Sequence, residues 1–403
     1  MRTRCALGLA AAVVVILVVL SGIGWAEGPK TLNIGVCVPL TGPAANIGIN
    51  HLNAVQMAIE NQNAKGGVTI GNQKYLLKEV ARDTKFDPAV AKTATEDLVF
   101  DKKVKVIFGT TPVETSSMQT VTEPNKVILF VMSPTPMHTG PDKPYTFSDG
   151  GLFAKMYTLG GLYIKKHYPQ AKKVVSVHPD LPDVPLFIDT EKKIMPYFGF
   201  DWLGLEKFPM GTTDFSTLAA KVLEKKPDIV DTAGCGPAIG GISAVLVKQL
   251  RQAGFEGLVW MPLVPPPGVM EEAVPEQYLT KIVTNDFNVS SPVITKEYKD
   301  VYNQYMAKFK TKPIDFMGEA ANCSKAFFEF LNTQKTMDTA VWIRDFEKYR
   351  WKGIFGHEEF WVGKPVFGIN RFLISSLWVS EWTNGKLVTE KVENFPYDLF
   401  VAK

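Results

Sequence analysis

Residues 30–67 read KTLNIGVCVPLTGPAANIGINHLNAVQMAIENQNAKGG, and this stretch decides the fold class. Apolar side chains alternate along residues 30–38, which predicts a β-strand that ends before Pro39. Apolar residues then recur at helical spacing through residues 52–59, and the glycines at 66–67 end the helix. A strand, a turn and a helix in this order form the repeating unit of α/β domains.

The same alternation continues along the chain as far as residue 261. Strands are predicted at residues 75–82, 104–108, 127–132, 173–177, 202–208, 228–233 and 257–261. Helices lie between them, and the one after Asp87 begins with a side-chain cap and a proline. This order predicts two doubly wound parallel sheets flanked by helices. Near the end, Asn384-Gly385 between residues 372–381 and 386–392 predicts a β-hairpin.

The first 26 residues have the layout of a secretory signal peptide. Arg2 and Arg4 precede an apolar run at residues 10–20, and cleavage is expected after Ala26. The run is shorter than the roughly 20 residues that span a bilayer. Cys5 precedes the apolar run and so cannot carry the lipid of a lipoprotein. We expect a periplasmic protein.

Composition excludes several classes of protein. The chain has 44 Lys and Arg against 41 Asp and Glu, so a nucleic-acid-binding surface is not expected. Beyond the signal peptide the cysteines are Cys37, Cys235 and Cys323, without the C-x-x-C spacing of a zinc site. A length of 403 residues favours two domains.

Motifs for catalysis are missing from the sequence. The five histidines are not at metal-ligand spacing, and Trp361 stands where a zinc protease helix starting at His357 would need its second histidine. Glycines around Cys235 follow a strand but depart from the G-x-G-x-x-G spacing of dinucleotide-binding turns. We expect no enzyme activity, no cofactor and no metal. An enzyme that binds a nicotinamide cofactor at this turn is kept as an alternative.

Several segments together carry a resemblance to a known family. They are residues 32–44 (LNIGVCVPLTGPA), 63–68 (NAKGGV), 87–91 (DPAVA), 133–134 (SP), 211–218 (GTTDFSTL) and 249–254 (QLRQAG). In this order they resemble the branched-chain amino-acid (Leu/Ile/Val) binding proteins, which are periplasmic solute receptors of ABC importers. The resemblance covers nearly the whole chain after the signal peptide.

The resemblance implies an α/β fold of two lobes, the type I periplasmic binding protein, with three hinge crossings. We place the crossings near Phe147, Thr284 and Phe355. The N-terminal lobe then comprises residues 30–147 plus 285–354, and the C-terminal lobe comprises residues 148–284 plus 355–403. A ligand would be held in the cleft between the lobes by hinge closure.

The family's first N-lobe loop, which holds the ligand carboxylate through a hydroxyl and backbone N–H groups, matches residues 109–115 here. The hydroxyl position falls on Val113, so Thr115 or Ser116 is the expected substitute. Backbone N–H groups at the start of the following helix would favour an anion. Ligand contacts are therefore predicted at Thr110, Thr111, Val113, Glu114 and Thr115. The second loop adds Thr135 and Met137; alternatively, Thr110 and Ser133 satisfy only the backbone of their own turns.

The C-lobe positions depart from the amino-acid binders of the family. Asp183 and Cys235 stand at positions where aromatic residues are common, and Val264 replaces a glutamate that pairs with the ligand ammonium. A desolvated ammonium without that partner would cost on the order of 2–5 kcal/mol. Ile47 and Phe316 complete a cleft that is more apolar than usual. Met137 and Val264 could also serve lobe packing, and Asp183 could be a solvated loop residue.

We therefore predict a receptor for a small apolar or aromatic carboxylate, with a membrane permease and ATPase subunits of an ABC importer as partners. One alternative is a receptor for branched-chain or other hydrophobic amino acids or amides. The other is a sensory ligand-binding protein of the same fold.

Overall fold

The computed structural model describes residues 28–109, 111–132, 136–149, 153–180, 184–232, 241–263, 265, 268–314 and 317–397. The predicted signal peptide lies outside these residues. Within the described part of the chain, every helix is too short or too polar to cross a bilayer.

Strands and helices alternate through most of the described residues. The strands are β1 (Lys30–Val38), β2 (Val68–Ile70), β3 (Gln73–Asp83), β4 (Val106–Phe108), β5 (Ile128–Val131), β6 (Thr146–Ser148), β7 (Lys173–Pro179), β8 (Asp201–Phe208), β9 (Ile229–Asp231), β10 (Leu258–Met261), β11 (Ile282–Thr284), β12 (Arg350–Lys352), β13 (Glu358–Val362), β14 (Phe372–Leu373), β15 (Trp378–Thr383) and β16 (Lys386–Lys391). The α-helices are α1 (Ala45–Ala64), α2 (Pro88–Glu96), α3 (Pro112–Thr122), α4 (Phe153–His167), α5 (Val184–Phe198), α6 (Ser216–Glu224), α7 (Ile242–Gln252), α8 (Val269–Ala273), α9 (Lys296–Phe309), α10 (Met317–Leu331), α11 (Thr339–Phe346) and α12 (Lys364–Phe367). A π-helical turn covers Asp97–Asp101, and 3-10 turns cover Pro136–His138 and Glu276–Tyr278.

The strands form two sheets, and each has a parallel core. The first sheet has the order β12-β13-β14-β6-β5-β4-β1-β3-β2, and the second has the order β16-β15-β11-β10-β9-β7-β8. Strands β3-β1-β4-β5-β6-β14 pair in parallel, as do β8-β7-β9-β10-β11. The edge strands β2, β12, β13, β15 and β16 are antiparallel additions, so both sheets are mixed where the sequence predicts parallel ones.

Alternate residues of the parallel strands face two different cores. In the first sheet, Val106 and Phe108 pack with helices α1, α10 and α11, whereas Ile107 packs with α2 and α3. In the second sheet, Ile229 and Val230 divide between opposite faces in the same way. Helices therefore cover both faces of each sheet, which explains why the central strands are apolar on both sides.

Most predicted strands are confirmed to within a few residues, but the strand predicted at 372–381 is wrong. It divides into β14, which pairs with β6 in the first sheet, and β15, which pairs with β11 in the second. Residues 374–377 connect the two sheets. The predicted hairpin at Asn384-Gly385 is present, with positive φ at both residues as a tight two-residue turn requires.

The chain passes between the sheets after β6, after β11 and after β14. The lobe boundaries remain a proposal. Sheet membership favours a third crossing at residues 374–377 rather than near Phe355, because β13 and β14 lie in the first sheet. Trp378, directly after this crossing, lies 5.0 Å from Phe287 of the second crossing, 5.2 Å from Tyr298 and 5.3 Å from Phe355 between ring centroids.

Candidate functional site

The carboxyl ends of β1, β4, β5 and β6 open at one edge of the first sheet, where helices α1 and α3 begin. Open parallel sheets bind ligands at this edge. At the corresponding edge of the second sheet, residues 181–183, 233–240, 264 and 266–267 lie outside the described residues. The described part of the candidate site therefore consists of the edge of the first sheet and the residues buried beneath the corresponding edge of the second sheet.

Asp83 joins the loop after β1 to the loop after β3. Its carboxylate accepts hydrogen bonds from the Thr41 hydroxyl at 2.7 Å and from the backbone N–H groups of Leu40 and Lys85 at 2.8 and 2.9 Å. Burial acts to raise the pKa of Asp83, but these hydrogen bonds outweigh it and lower the pKa. An ionised Asp83 thus fixes the loop that leads into α1.

Helix α1 begins in direct contact with this loop. A side chain in place of Gly48 would put its Cβ 1.9 Å from the carbonyl oxygen of Pro39. Only glycine permits this approach. Ile47, in the same turn, is buried and packs with Ala44, Met132 and Ile314. It therefore supports the edge from inside and contributes little exposed surface.

Helix α3 begins at the same edge, after Thr111. The Thr111 hydroxyl donates to the Glu114 carboxylate at 2.6 Å, and the Thr115 hydroxyl donates to the carbonyl of Thr111 at 2.8 Å. Glu114 and Thr115 are buried, whereas Val113 is 48% exposed. Val113 therefore adds apolar surface to this turn, and a buried carboxyl group already lies at the positive end of the helix.

The turn Pro136–His138 is tied to α3 through buried hydrogen bonds. His138 Nε2 lies 3.1 Å from the Ser116 hydroxyl, and the Gln119 amide donates to the His138 carbonyl at 2.6 Å. Burial lowers the pKa of His138 to about 4, with a further contribution from Lys143, so the imidazole is neutral at physiological pH. Met137, next to His138, is 48% exposed.

The structure therefore brings six of the predicted contact residues to one edge. These are Ile47, Thr111, Val113, Glu114, Thr115 and Met137. The hydroxyls of Thr115 and Ser116, the expected substitutes at the anion position, both have partners within the protein. The predicted contacts Thr110, Thr135, Asp183, Cys235, Val264 and Phe316 lie outside the described residues.

Beneath the corresponding edge of the second sheet lies a buried polar network that sequence reasoning missed. Glu191 accepts hydrogen bonds from the Tyr157 phenol at 2.5 Å and the Ser176 hydroxyl at 2.6 Å, and His178 Nε2 lies 2.9 Å from it. The Tyr157 phenol also lies 2.8 Å from an Asp231 carboxylate oxygen. All five residues are fully buried.

The Tyr157 phenol lies between two carboxyl groups of this network. A phenol has a single hydrogen, yet the Tyr157 oxygen is in hydrogen-bond contact with carboxyl oxygens of both Glu191 and Asp231. The phenol therefore connects Glu191 on α5 to Asp231 on β9. Burial acts to raise the pKa of Glu191, but its interactions with His178 and the hydrogen bonds from Ser176 and Tyr157 together outweigh burial and lower the pKa.

The same residues include a possible set of metal ligands. Atoms of His178, Glu191 and Asp231 lie within 4.8 Å of one another. They bind each other and Tyr157, so their present arrangement serves as a rigid support for the ends of β7 and β9. No sequence spacing could reveal it, because Tyr157 is separated from Glu191 and Asp231 by 34 and 74 residues.

A cavity of about 360 Å³ lies between the lobes beside the second crossing. Its lining includes Asp286, Tyr302 and Ile314 together with Glu271 of the second lobe. Burial, reinforced by the charge of Glu271, raises the pKa of Asp286 to about 7. A larger cavity of about 840 Å³ lies on the outer face of the first lobe, lined by the second half of α1 and by α10. Among the described residues, its lining includes none from the loops that follow β1, β4, β5 and β6, so we place the ligand site elsewhere.

Comparison with known proteins agrees with this architecture. A family model described as periplasmic binding protein matches residues 31–386. A Leu/Ile/Val-binding protein homolog 1 from Brucella abortus is 26% identical over 258 residues, which cover 64% of this chain and 65% of that relative, just under two thirds of its length. A leucine-, isoleucine-, valine-, threonine-, and alanine-binding protein from Pseudomonas aeruginosa is 29% identical over 231 residues, 56% of this chain and 58% of the relative.

Solved structures share the fold at low identity. A branched-chain amino acid transporter substrate binding protein from Streptococcus pneumoniae, in complex with isoleucine, has a TM-score of 0.71 at 19% identity and covers 90% of this chain and 99% of its own. A branched chain amino acid ABC transporter periplasmic ligand-binding protein from Burkholderia xenovorans has a TM-score of 0.74 at 15% identity, with coverages of 90% and 96%. The predicted two-lobed type I fold is thereby confirmed.

Proposed function

Because the chain belongs to the periplasmic binding protein family, a family of receptors rather than enzymes, we propose that it is the solute receptor of an ABC importer and binds a small apolar or aromatic carboxylate between its lobes. In this role it works in the periplasm, and its partners are a membrane permease and the ATPase subunits that drive it. The domain arrangement and family match support the receptor role; the chemistry of the cleft edge supports the ligand class.

The observation that carries the ligand class is the apolar surface at the edge of the first sheet. Val113 and Met137 are both 48% exposed although their turns are held rigidly by buried hydrogen bonds. Large apolar side chains fixed in exposed positions at a strand-end site stabilise an apolar ligand body when the lobes close. Val264, in place of an acidic residue, is consistent with a ligand that lacks an ammonium group.

The carboxylate of the ligand is assigned to the start of α3. Backbone N–H groups at a helix start attract anions, and the hydroxyls of this turn are directed into the protein. The buried Glu114 weakens that attraction if it is ionised. Neutral amides of the same shape are therefore the ligands that most need to be compared with acids.

A receptor for a branched-chain amino acid is the second candidate. It is favoured by the relatives named for leucine, isoleucine and valine binding and by the solved structure with isoleucine. Because position 264 is a valine, an acidic group elsewhere would then have to hold the ammonium.

Thermal unfolding against a ligand panel separates the two candidates. The panel comprises benzoate and phenylacetate, isovalerate, the amides of all three, and leucine, isoleucine and valine. A ligand at 100 times its Kd adds about 2.7 kcal/mol to the free energy of unfolding. We expect the melting temperature to rise with one or more acids and not with their amides. Stabilisation by the amino acids alone would replace the proposed ligand class with the second candidate.

A matched pair of variants locates the site. Val113→Asp should weaken binding of the stabilising acid by roughly tenfold or more, since it removes apolar contact and adds a charge that repels a carboxylate. Phe100→Asp is the control, because Phe100 is also 48% exposed but lies before β4, at the opposite edge of the sheet. Equal affinities in titration calorimetry of the two variants would remove the site from the start of α3.

A further inference from the structure

A buried group of charged residues lies where the chain crosses between the lobes. Lys155 on α4, which packs against the second sheet, is 3% exposed. Its ammonium lies 3.9 Å from the carboxylate of Glu319 and 3.3 Å from the hydroxyl of Ser376. Glu319 belongs to α10 of the first lobe, and Ser376 to the third crossing. Lys155 thus connects three parts of the molecule that must move relative to one another when the lobes open.

Two more carboxyl groups are buried beside this ion pair. Asp149 follows β6 at the first crossing, and neither of its carboxyl oxygens has a hydrogen-bond partner among the described residues. Glu359 on β13 accepts a hydrogen bond from Asn322 through one oxygen, while its other oxygen has no partner in the described part of the chain. Both residues are 1% exposed.

We call Asp149, Lys155, Glu319 and Glu359 the hinge cluster. The single ammonium of Lys155 cannot neutralise three buried carboxylates. The other titratable groups coupled to the cluster do not supply a compensating buried cation. They are Cys323 and Lys325 on α10, His357 before β13, and Tyr397 near the chain end. Of these, only Lys325 is a cation, and 41% of its side chain is exposed.

We propose that the hinge cluster couples lobe opening to protonation: carboxyls that keep their protons stabilise the arrangement seen here, and their ionisation favours an arrangement in which water reaches the crossings. This inference rests on the proposed function for its biological meaning, since it assigns pH control to the ligand site between the same lobes. The protonation of the hinge cluster itself does not depend on that function.

The pKa values of Asp149 and Glu359 are raised toward physiological pH. Burial raises the pKa of Asp149 to about 7, with a further contribution from the charge of Glu319. Burial likewise raises the pKa of Glu359 to about 8, and that of Glu319 is also raised. An ionised carboxylate in an apolar region costs several kcal/mol unless water or a cation reaches it. Raising the pH from 6 to 9 should therefore shift the lobes toward the hydrated arrangement.

Small-angle X-ray scattering of the ligand-free protein tests the proposal. We expect the radius of gyration of the wild-type protein to change with a midpoint between pH 7 and 8. Asp149→Asn and Glu359→Gln each remove one titrating group without changing its shape, so each should reduce or displace the transition. Asp142→Asn is the control, because the Asp142 side chain is 71% exposed and lies outside the cluster.

The outcomes are distinct from those of the ligand panel. A radius of gyration that is constant from pH 6 to 9, or a transition that is the same in both cluster variants and the control, would overturn the hinge proposal even if a carboxylate ligand is found. A transition lost in the cluster variants would support it even if the ligand is an amino acid. Two separate variants keep the test valid if one of them fails to fold.

Discussion

Glu359 shows at the scale of one residue how burial turns an acidic side chain into a source of pH dependence. Its carboxyl group accepts a hydrogen bond from Asn322 and packs against the backbone at Gly353, where an added Cβ would lie 1.8 Å from the Glu359 carboxyl oxygen. This close packing excludes water from one side of the carboxyl. The neutral acid is therefore the form that fits.

The contribution of Glu359 to the free energy of unfolding should consequently fall as the pH rises. Folded Glu359 keeps its proton up to about pH 8, whereas the unfolded residue loses it near pH 4.5. Between these values the folded state binds more protons, so the free energy of unfolding decreases with pH. One pKa unit corresponds to about 1.4 kcal/mol. Between pH 5.5 and 8 the free energy of unfolding of the wild-type protein should therefore fall by about 3 kcal/mol more than that of the Glu359→Gln variant.

Urea unfolding at the two pH values measures this difference. Glu358→Gln is the neighbouring control, with an exposed side chain paired to Arg350. Equal pH dependence in the two variants would mean that Glu359 is ionised in the folded protein.

At the scale of the element, the start of α1 illustrates how a helix is placed against a strand-end loop. The contact between Gly48 and Pro39 leaves no room for a side chain, and Asp83 holds the same loop from the other side. Position and orientation of α1 are thus fixed by close packing of backbone on backbone rather than by a helix cap, since Ala44 has no side chain that could provide one.

Replacing Gly48 by alanine should therefore displace α1 in spite of the higher helix propensity of alanine. We expect a loss of about 1–3 kcal/mol in the free energy of unfolding, the usual cost of overpacking. The control is Gly241→Ala before α7, where an added Cβ would be 3.8 Å from the nearest atom. Thermal unfolding of the two variants gives the comparison; a Gly48→Ala protein as stable as the control would show that the loop yields easily.

The sequence was sufficient for the long elements and insufficient for the short ones. Strand β1 was predictable because apolar residues alternate along it, and β7 because its valines face both cores of the second sheet. Strand β6 has the sequence Thr-Phe-Ser and is a strand because β5 and β14 flank it. Three-residue strands of this kind take their conformation from their neighbours, which sequence periodicity cannot show.

For the candidate site, the sequence predicted that Val113 and Met137 follow parallel strands, as they do in the structure, because loops after such strands are recognisable. It could not show that the Thr115 hydroxyl binds within the protein, and it could not predict the hydrogen-bond network around Glu191. Those contacts join polar residues from distant segments, and each of these residues is unremarkable within its own helix or strand.

At the scale of the whole molecule, β13 contributes to cores of both sheets, because Trp361 packs in the first sheet's core and Val362 packs with residues of the second sheet. The position of the third crossing decides to which lobe β13 belongs. Trp361 on β13 packs against Phe130, Phe147 and Phe346 of the first lobe. Trp382 on β15 packs in the core of the second sheet. These two tryptophans lie only 21 positions apart in sequence but report on different lobes.

Trp361→Ala should accordingly loosen the first lobe, at a cost of about 3–5 kcal/mol. In hydrogen exchange followed by mass spectrometry, we expect faster exchange in peptides containing β4 and β5 and little change around β9 and β10. Trp382→Ala should give the opposite pattern. Faster exchange of β9 and β10 in Trp361→Ala would instead support a third crossing near Phe355, with β13 in the C-terminal lobe.

The aromatic contacts around Trp378 have a practical consequence. This indole is 1% exposed and lies against rings from the second crossing and from α9. Any change in the angle between the lobes alters what surrounds it, and indole emission depends on those surroundings. The protein therefore contains its own optical probe of lobe movement, and it could be developed into a label-free fluorescent biosensor without attaching a dye.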